Sequence, residues 1–270
     1  MSTDQKSYWQ IQDPDKSLYS DLIWSQPQHK SKAGKLLIVG GNVHGFSAVA
    51  KAYNTSQKAG AGSVRVLLPD RLKKTIGSIL PDAYYGPSTP SGSFAKNSLA
   101  ELLEHAQWAD LVLIAGDLGR NSETAMLIET FYAEHKGPLT ITKDGLDFFT
   151  ASPASLVSRR GSLIVGTIAQ LQKISLKAYP NNLITFSMSL MGLVEALHFI
   201  SLESEASFIT MHENNIVVAH KGRVSTTKSI QDPESWRVIM ASYCSVWWLQ
   251  NLDQTFEALT TAVYSSMNNL

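Results

Sequence analysis

The amino-acid sequence predicts an α/β fold, in which a doubly wound, mostly parallel sheet is flanked by helices and followed by a short C-terminal β-meander. In residues 35–70 an apolar strand, a glycine-containing loop, a small-residue helix and a second apolar strand follow one another. That order is typical of a βαβ crossover, which joins parallel strands. Apolar strand-type runs then alternate with helical patterns as far as about residue 165, and three short strands follow. Such alternation indicates one layered α/β domain.

The first half of the chain alternates regularly. A strand is predicted at 36–40 and a helix at 47–58, which ends at Gly60-Ala61-Gly62 because glycine takes the left-handed conformation without strain. The further strands predicted here are 63–68, 111–115, 139–142 and 163–165. The further helices are 70–79, 96–106 and 124–134.

The second half follows a different pattern. A long buried helix is predicted at 184–200, and the meander at 208–211, 215–219 and 222–226, with turns at 213–215 and 220–222. Asp232 is predicted to cap the next helix, with Pro233 as its first helical residue. Apolar residues at spacings of three and four predict one buried face of that helix; they are Trp236, Ile239, Met240, Tyr243, Val246 and Trp247. A terminal helix is predicted at 254–266.

The domain prediction separates an N-terminal arm, residues 1–34, from a single α/β domain, residues 35–270. The arm lacks clean periodicity and carries two aromatic anchors, Tyr8-Trp9 and Trp24, that are expected to pack it on the domain. The tryptophans and Tyr243 of the helix after Asp232 are expected to form a packed face or an oligomer seam rather than a stacking platform.

Composition limits the partners. Basic and acidic residues balance at 23 each, so no global field would draw the chain to nucleic acid or to an anionic membrane. The single cysteine, Cys244, excludes an internal disulfide and a cysteine-based zinc site. Residues 1–30 lack an apolar signal segment, and the seven histidines show no metal-ligand spacing. A cytoplasmic protein without a metal is therefore expected.

Two glycine-containing loops are the candidate ligand sites. Gly40, Gly41 and Gly45 allow close approach of a ligand to the backbone, and their amides lie just before the helix predicted to begin at Ser47. Free amides and a positive dipole end make such a position suitable for a phosphate. Gly116 and Gly119 follow a buried strand and offer the same chemistry. Glycines after parallel strands also make tight turns without any ligand, so a purely structural role remains an alternative.

Several motifs, in order, resemble the C-terminal domain family of NAD(P)H-hydrate dehydratases. The family's His-Lys-Gly-x-x-Gly stretch corresponds to residues 29–34, and its Gly-Gly-Ser loop and Ala-Gly-Ala-Gly turn correspond to 40–42 and 59–62. Its Gly-Pro-Gly-Leu-Gly segment corresponds to 115–119, and Asp-Ala-Asp-Gly-Leu to 142–146. The resemblance covers about residues 28–150 and implies a ribokinase-like fold.

The resemblance also implies chemistry: the family uses ADP or ATP to remove water from hydrated NADH or NADPH. The residues expected to hold ADP or ATP are Gly40, Gly41, Asn42, Gly45 and Ser47. Those expected to contact the hydrated dinucleotide are Gly116, Leu118, Gly119 and Asp144. Asp144 and Asp117 are the candidate acid–base groups, although Asp144 beside Gly145 is equally typical of a structural turn.

Three later motifs of the family are missing. Thr167 and Gln170 stand at the histidine and glutamate of Thr-Pro-His-x-x-Glu, and Thr210-Met211-His212 replaces a Leu-Lys-Gly turn. The best register sets residues 234–237 against Gly-Ser-Gly-Asp, so Arg237 stands at the aspartate. Arginine stays protonated and cannot act as a base. Asp232 and Glu234 add carboxylates, and Trp236 fills space, at what should be the phosphate-binding helix start; this nucleotide site is therefore predicted to be degraded.

Three hypotheses follow. The chain is a non-catalytic or impaired homologue that binds a nucleotide or dinucleotide, or an active dehydratase or small-molecule kinase with a rearranged site, or a structural partner without a ligand. A homo-oligomer is the expected assembly. A bulky residue at Gly116 is predicted to abolish ligand binding and to leave the fold intact.

Overall fold

The computed structural model describes residues 6–80, 83–229, 232 and 234–268, which form a ten-stranded sheet between two layers of helices. The strands are β1 (Trp9–Gln12), β2 (Lys35–Gly40), β3 (Ser63–Pro69), β4 (Tyr84–Gly86), β5 (Leu111–Gly116), β6 (Leu139–Thr142), β7 (Ser162–Val165), β8 (Ala206–His212), β9 (Asn215–His220) and β10 (Arg223–Lys228). The helices of the first half are α1 (Ser20–Trp24), α2 (Ser47–Lys58), α3 (Lys73–Ile76), α4 (Leu99–Trp108) and α5 (Ser122–Glu134). Those of the second half are α6 (Lys143–Asp147), α7 (Ala154–Ser158), α8 (Ile168–Ala178), α9 (Leu190–Glu203), α10 (Trp236–Gln250) and α11 (Thr255–Asn268).

The strand order is β1-β10-β9-β8-β7-β6-β5-β2-β3-β4. Every described pair is parallel except β8–β9 and β9–β10, which form the predicted meander. From β2 the chain runs outward through β3 and β4, then returns to the other side of β2 at β5. The carboxyl ends of β2 and β5 therefore flank a topological switch point, where open α/β sheets place their ligands.

Alternating strand residues face two core layers. In β2, Leu37 and Val39 pack under α4, α5, α8 and α9, whereas Leu36 and Ile38 pack under α2, α10 and α11. This period of two is what strand geometry dictates when both faces of a sheet are covered. The doubly wound α/β prediction is confirmed.

Several local predictions are confirmed. The helix at 47–58 and the strand at 139–142 have the predicted bounds, and Gly60 ends α2 with φ of +88°. The first meander turn places Glu213 and Asn214 at positive φ, and the second does the same with Lys221 and Gly222. Two central residues at positive φ are the geometry of the hairpin turn that matches strand twist.

Other predictions are wrong. The helix predicted at 184–200 begins only at Leu190, because Ser189 caps it by accepting the Gly192 amide. Asp232 does not cap α10: its carboxylate accepts the Glu234 amide in a turn that precedes the helix, and α10 begins at Trp236. Pro233 lies outside the described residues.

Of the predictions about aromatic residues, some are confirmed and others are wrong. Tyr8 and Trp9 pack against the core, but Trp24 is 86% exposed and anchors nothing. Helix α10 is buried nearly all round, not on one face, because α2, α11 and the sheet enclose it. The packed-face hypothesis for its aromatic residues is confirmed, since Trp236, Tyr243, Trp247 and Trp248 are buried.

Several short elements were not predicted. Strand β1 pairs with β10 and β4 with β3, both at sheet edges, where short strands carry little apolar periodicity. Helix α8 also escaped prediction, although Thr167 and Gln170 form a capping box at its start.

Candidate functional site

The loops after β2 and β5 meet at the switch point. The Gly41 amide donates to the Gly116 carbonyl over 3.0 Å. A Cβ atom at Gly40 would lie 2.4 Å from that same carbonyl oxygen, so this approach needs glycine. Gly116 has φ of +104°, and a Cβ there would meet the Lys143 Cβ at 2.7 Å. A bulky residue at Gly116 would therefore strain the backbone, and this strain counts against the prediction that such a variant leaves the fold intact.

A tight turn follows β2. Asn42 and Gly45 exchange backbone hydrogen bonds, and the Asn42 side-chain oxygen accepts the His44 amide at 2.7 Å. The Asn42 side-chain amide donates to the Asp117 carbonyl at 2.6 Å, which ties the turn to the loop after β5. Gly45 faces open space. Asn42 thus joins the two predicted loops, while Gly45 marks the open edge of the site.

Asp117 lies at the start of α2. Its Oδ2 accepts the Ala48 amide at 2.7 Å and the Ser47 hydroxyl at 3.3 Å. Its Oδ1 pairs with the Lys143 ammonium at 2.8 Å, and both side chains of this ion pair are largely buried. Asp117 has φ of +56°, a left-handed conformation that aspartate tolerates better than most residues. The residue therefore bridges the start of α2 and the start of α6.

Asp144 lies beneath the loop after β5. Its Oδ2 accepts the amides of Leu118 at 2.8 Å and Gly119 at 3.1 Å. Among the described residues, its buried Oδ1 has no hydrogen-bond partner. Burial raises the pKa of Asp144, and Asp117 adds to the rise, while the two amides and Lys143 oppose it. Desolvation of the charged form is the main cause.

Arg237 reaches the same cluster from the second position of α10. Burial lowers the pKa of its half-buried guanidinium, while Asp147 and Asp144 act against that shift. Its Nε is buried, and the described part of the chain offers this atom no acceptor. Arg237 therefore lies within electrostatic reach of two carboxylates.

The side chains of Thr167 and Gln170 mainly form hydrogen bonds with backbone groups. Thr167 caps α8, and the Gln170 side-chain oxygen returns to the Thr167 amide. The Gln170 side-chain amide donates to the Lys143 carbonyl and to Asp147 Oδ1, each at 2.8 Å. In the segment set against the Leu-Lys-Gly turn, Thr210 is fully buried and the His212 imidazole pairs with the Met188 carbonyl.

Hydrogen bonds bring both sets of predicted residues together at the carboxyl ends of β2, β5 and β6. The sequence did not single out Lys143 and Asp147. A signal existed, because Asp144 and Asp147 are three residues apart, which places them on one face of a helical turn. Lys143 gave no separate signal, since its role depends on Asp117.

Other features lie away from this cleft. A cavity of about 680 Å³ is lined by Ala33, Lys58 and Gly62, near the amino ends of β2 and β3. Within the described ranges no group of three or more His, Cys, Asp or Glu residues has metal-binding geometry. No helix in the described part is long and apolar enough to cross a membrane. Cys244 is fully buried, and burial raises its pKa.

No family model matches the sequence. It is 33% identical over 131 residues to the bifunctional NAD(P)H-hydrate repair enzyme of Methanothermobacter thermautotrophicus, over 47% of this chain and 25% of that protein. It is 26% identical over 139 residues to the enzyme of the same name from Moorella thermoacetica, over 51% of this chain and 26% of that protein. The matched region is thus about half of the chain and about a quarter of each relative.

Solved structures resemble nearly the whole chain. A ribokinase-like superfamily protein from Enterococcus faecalis superposes with a TM-score of 0.72 at 15% identity, over 97% of this chain and 87% of that one. The ADP/ATP-dependent NAD(P)H-hydrate dehydratase from Bacillus subtilis, co-crystallised with ATP and Mg²⁺ and soaked with CoA, gives a TM-score of 0.63 at 12% identity, over 92% and 86%. The chain therefore has a ribokinase-like fold. Over about half of its length, its sequence is similar to bifunctional NAD(P)H-hydrate repair enzymes.

Proposed function

We propose that this chain binds a nucleotide or dinucleotide in the cleft at the carboxyl ends of β2, β5 and β6, and that its NAD(P)H-hydrate dehydratase activity is absent or strongly reduced. Relatedness to hydrate repair enzymes supports the choice of ligand class. ADP or ATP is the candidate cofactor, and NAD(P)H-hydrate the candidate second ligand, because a structural neighbour is an ADP/ATP-dependent dehydratase of that substrate.

The position of Arg237 carries the proposal. In the best register it stands where the resemblance places the aspartate that supplies the acid–base group, and its charge lies near Asp144 and Asp147. Because arginine stays protonated, this position cannot exchange a proton with a substrate. Removing a general base typically lowers a rate by about 10²–10⁴. The same guanidinium is suited to a phosphate, so its presence favours binding over turnover.

A second candidate is an active enzyme in which Asp144 is the acid–base group. Two observations favour it: the pKa of Asp144 is raised by burial, and its Oδ1 has no partner within the described residues. A carboxyl of raised pKa in a cleft is a frequent property of catalytic acids. Its Oδ2, in contrast, is held by two backbone amides, which is typical of a structural carboxylate.

One pair of measurements tests both candidates. Hydrated NADH is incubated with high concentrations of the protein and ADP or ATP, and melting temperatures are recorded with ADP, ATP, NAD and NADP. We expect no turnover and a raised melting temperature with at least one ligand; a ligand at a hundred times its dissociation constant adds about 2.7 kcal/mol.

Turnover that disappears in D144N would replace the first candidate with the second. A melting temperature unchanged by all four ligands, together with no turnover, would contradict both and leave a structural partner as the remaining hypothesis.

A further inference from the structure

We infer that Asp117 occupies, with its own carboxylate, the anion position at the start of α2, and thereby excludes a ligand phosphate from this side of the cleft. The inference goes beyond the proposed function and does not depend on it. A cleft that binds its ligand through Arg237 and a cleft that binds no ligand are both compatible with an occupied α2 start.

The first step concerns the donors. A phosphate at a helix start takes its hydrogen bonds from free backbone amides, nearby hydroxyls and a cation. At α2 these groups are the Ala48 amide, the Ser47 hydroxyl and the Lys143 ammonium. Asp117 uses all three, at 2.7, 3.3 and 2.8 Å. A ligand phosphate would have to displace this carboxylate before it reached the same atoms.

The second step concerns the backbone. Asp117 has φ of +56°, a conformation that glycine adopts at less cost. Asparagine and aspartate adopt this left-handed conformation at a modest cost in free energy. The side-chain bonds of Asp117, and the Asn42 side chain that donates to its carbonyl, hold the residue in this conformation. Contacts to both its side chain and its backbone thus hold this carboxylate at the start of α2.

The third step concerns charge. Asp144 lies nearby and acts electrostatically on Asp117, as the effect of Asp117 on the pKa of Asp144 indicates. An incoming phosphate would therefore meet two carboxylates, with Lys143 already paired. Asp117 is accordingly expected to exclude an anionic group from this side of the cleft, whether or not a ligand binds elsewhere in it.

The test uses inorganic pyrophosphate at low ionic strength with wild type, D117G and D117N. D117G removes the side chain and suits the positive φ; D117N is the matched control that keeps the volume and one acceptor for the Ala48 amide. Affinity is measured by calorimetry, and the site is located by the amide resonance of Ala48 in isotope-labelled protein. In D117G we expect this resonance to move and pyrophosphate to bind about tenfold tighter or more than in wild type, from helix-dipole and charge effects.

In wild type and D117N the Ala48 resonance is expected to stay unchanged, even if pyrophosphate binds elsewhere in the cleft. A wild-type protein in which pyrophosphate moves the Ala48 resonance would overturn the inference, and so would a D117N protein that gains as much affinity as D117G. If D117G does not fold, the wild-type titration alone decides: an unmoved Ala48 resonance at saturating pyrophosphate supports the inference, and a moved one refutes it.

Discussion

The two sides of the cleft use their polar groups differently. On the side of the β2 and β5 loops, the amides of Ala48, Leu118 and Gly119 are taken by carboxylates of the chain itself. On the α10 side, Arg237 Nε and Asp144 Oδ1 are buried, and neither finds a hydrogen-bond partner in the described ranges. Buried polar atoms without partners are costly and are frequent at functional sites. The comparison indicates that the loop side is a rigid scaffold; under the proposed function, ligand recognition is then expected on the α10 side.

The largest expected effect tests the rigidity of the loop side. In G40A the new Cβ would lie 2.4 Å from the Gly116 carbonyl oxygen, a backbone atom that cannot move without separating β2 from β5. We expect a loss of about 2–3 kcal/mol in the free energy of unfolding, as for other overpacked core positions. Chemical denaturation monitored by circular dichroism measures it.

The matched control is G45A in the same loop. A Cβ at Gly45 meets no atom within 4 Å among the described residues, so the change is expected to stay within about 1 kcal/mol. Equal losses in G40A and G45A would show that the loop as a whole tolerates no side chain, and would remove the special role of the contact between Gly40 and Gly116.

The loop side was predictable from sequence because its signals are local. In the sequence, apolar strands that end in glycine and lead into a loop predicted both candidate sites. The strand order places these two loops at the switch point. What the sequence could not reveal is the bond between Asp117 and Ala48, which joins residues 69 positions apart. That contact depends on a positive φ and on the paired register of β2 and β5, neither of which has a local signature.

The α10 side was less predictable for a related reason. Asp232 followed by proline is typical of a helix cap, but an aspartate also stabilises a turn by accepting an amide two residues on, and here the turn prevails. That Arg237 replaces an aspartate stays a prediction from the sequence, and its proximity to Asp147 follows only from the tertiary fold.

The next prediction tests the ionic cluster of the α10 side. R237Q removes one of the cations near Asp144 and Asp147, so we expect the free energy of unfolding at neutral pH to fall by about 1–2 kcal/mol, less than for a fully buried ion pair. The loss should shrink as the pH falls and the carboxylates become protonated. Denaturation at neutral and acidic pH measures both effects.

The control for R237Q is the double-mutant cycle with D147N. Coupling between neighbouring charged residues is typically about 0.5–3 kcal/mol, so the loss caused by R237Q should be smaller in the D147N background. Strictly additive effects would show that Arg237 and Asp147 do not interact, and the α10 side would then lack the ionic cluster assigned to it.

The smallest expected effect concerns Asp144, which belongs to both sides of the cleft. Its pKa in the folded protein is raised, chiefly by burial, so between the unfolded value of about 3.9 and the raised folded value the folded state binds more protons than the unfolded state. Stability then decreases as the pH rises through this window. In D144N that contribution is absent, so the stability of the variant relative to wild type should increase as the pH rises. Above the folded pKa of Asp144 the difference in stability should stay constant.

At neutral pH this relative increase in stability is opposed by a weakened hydrogen bond to Leu118 or Gly119, which is typically worth about 1 kcal/mol. Melting temperatures of the two proteins from pH 3 to pH 8 measure the difference. If instead the wild type becomes more stable relative to D144N over the same pH range, the two amides and Lys143 outweigh burial. Asp144 would then belong only to the loop side, where carboxylates of the chain pair with backbone amides.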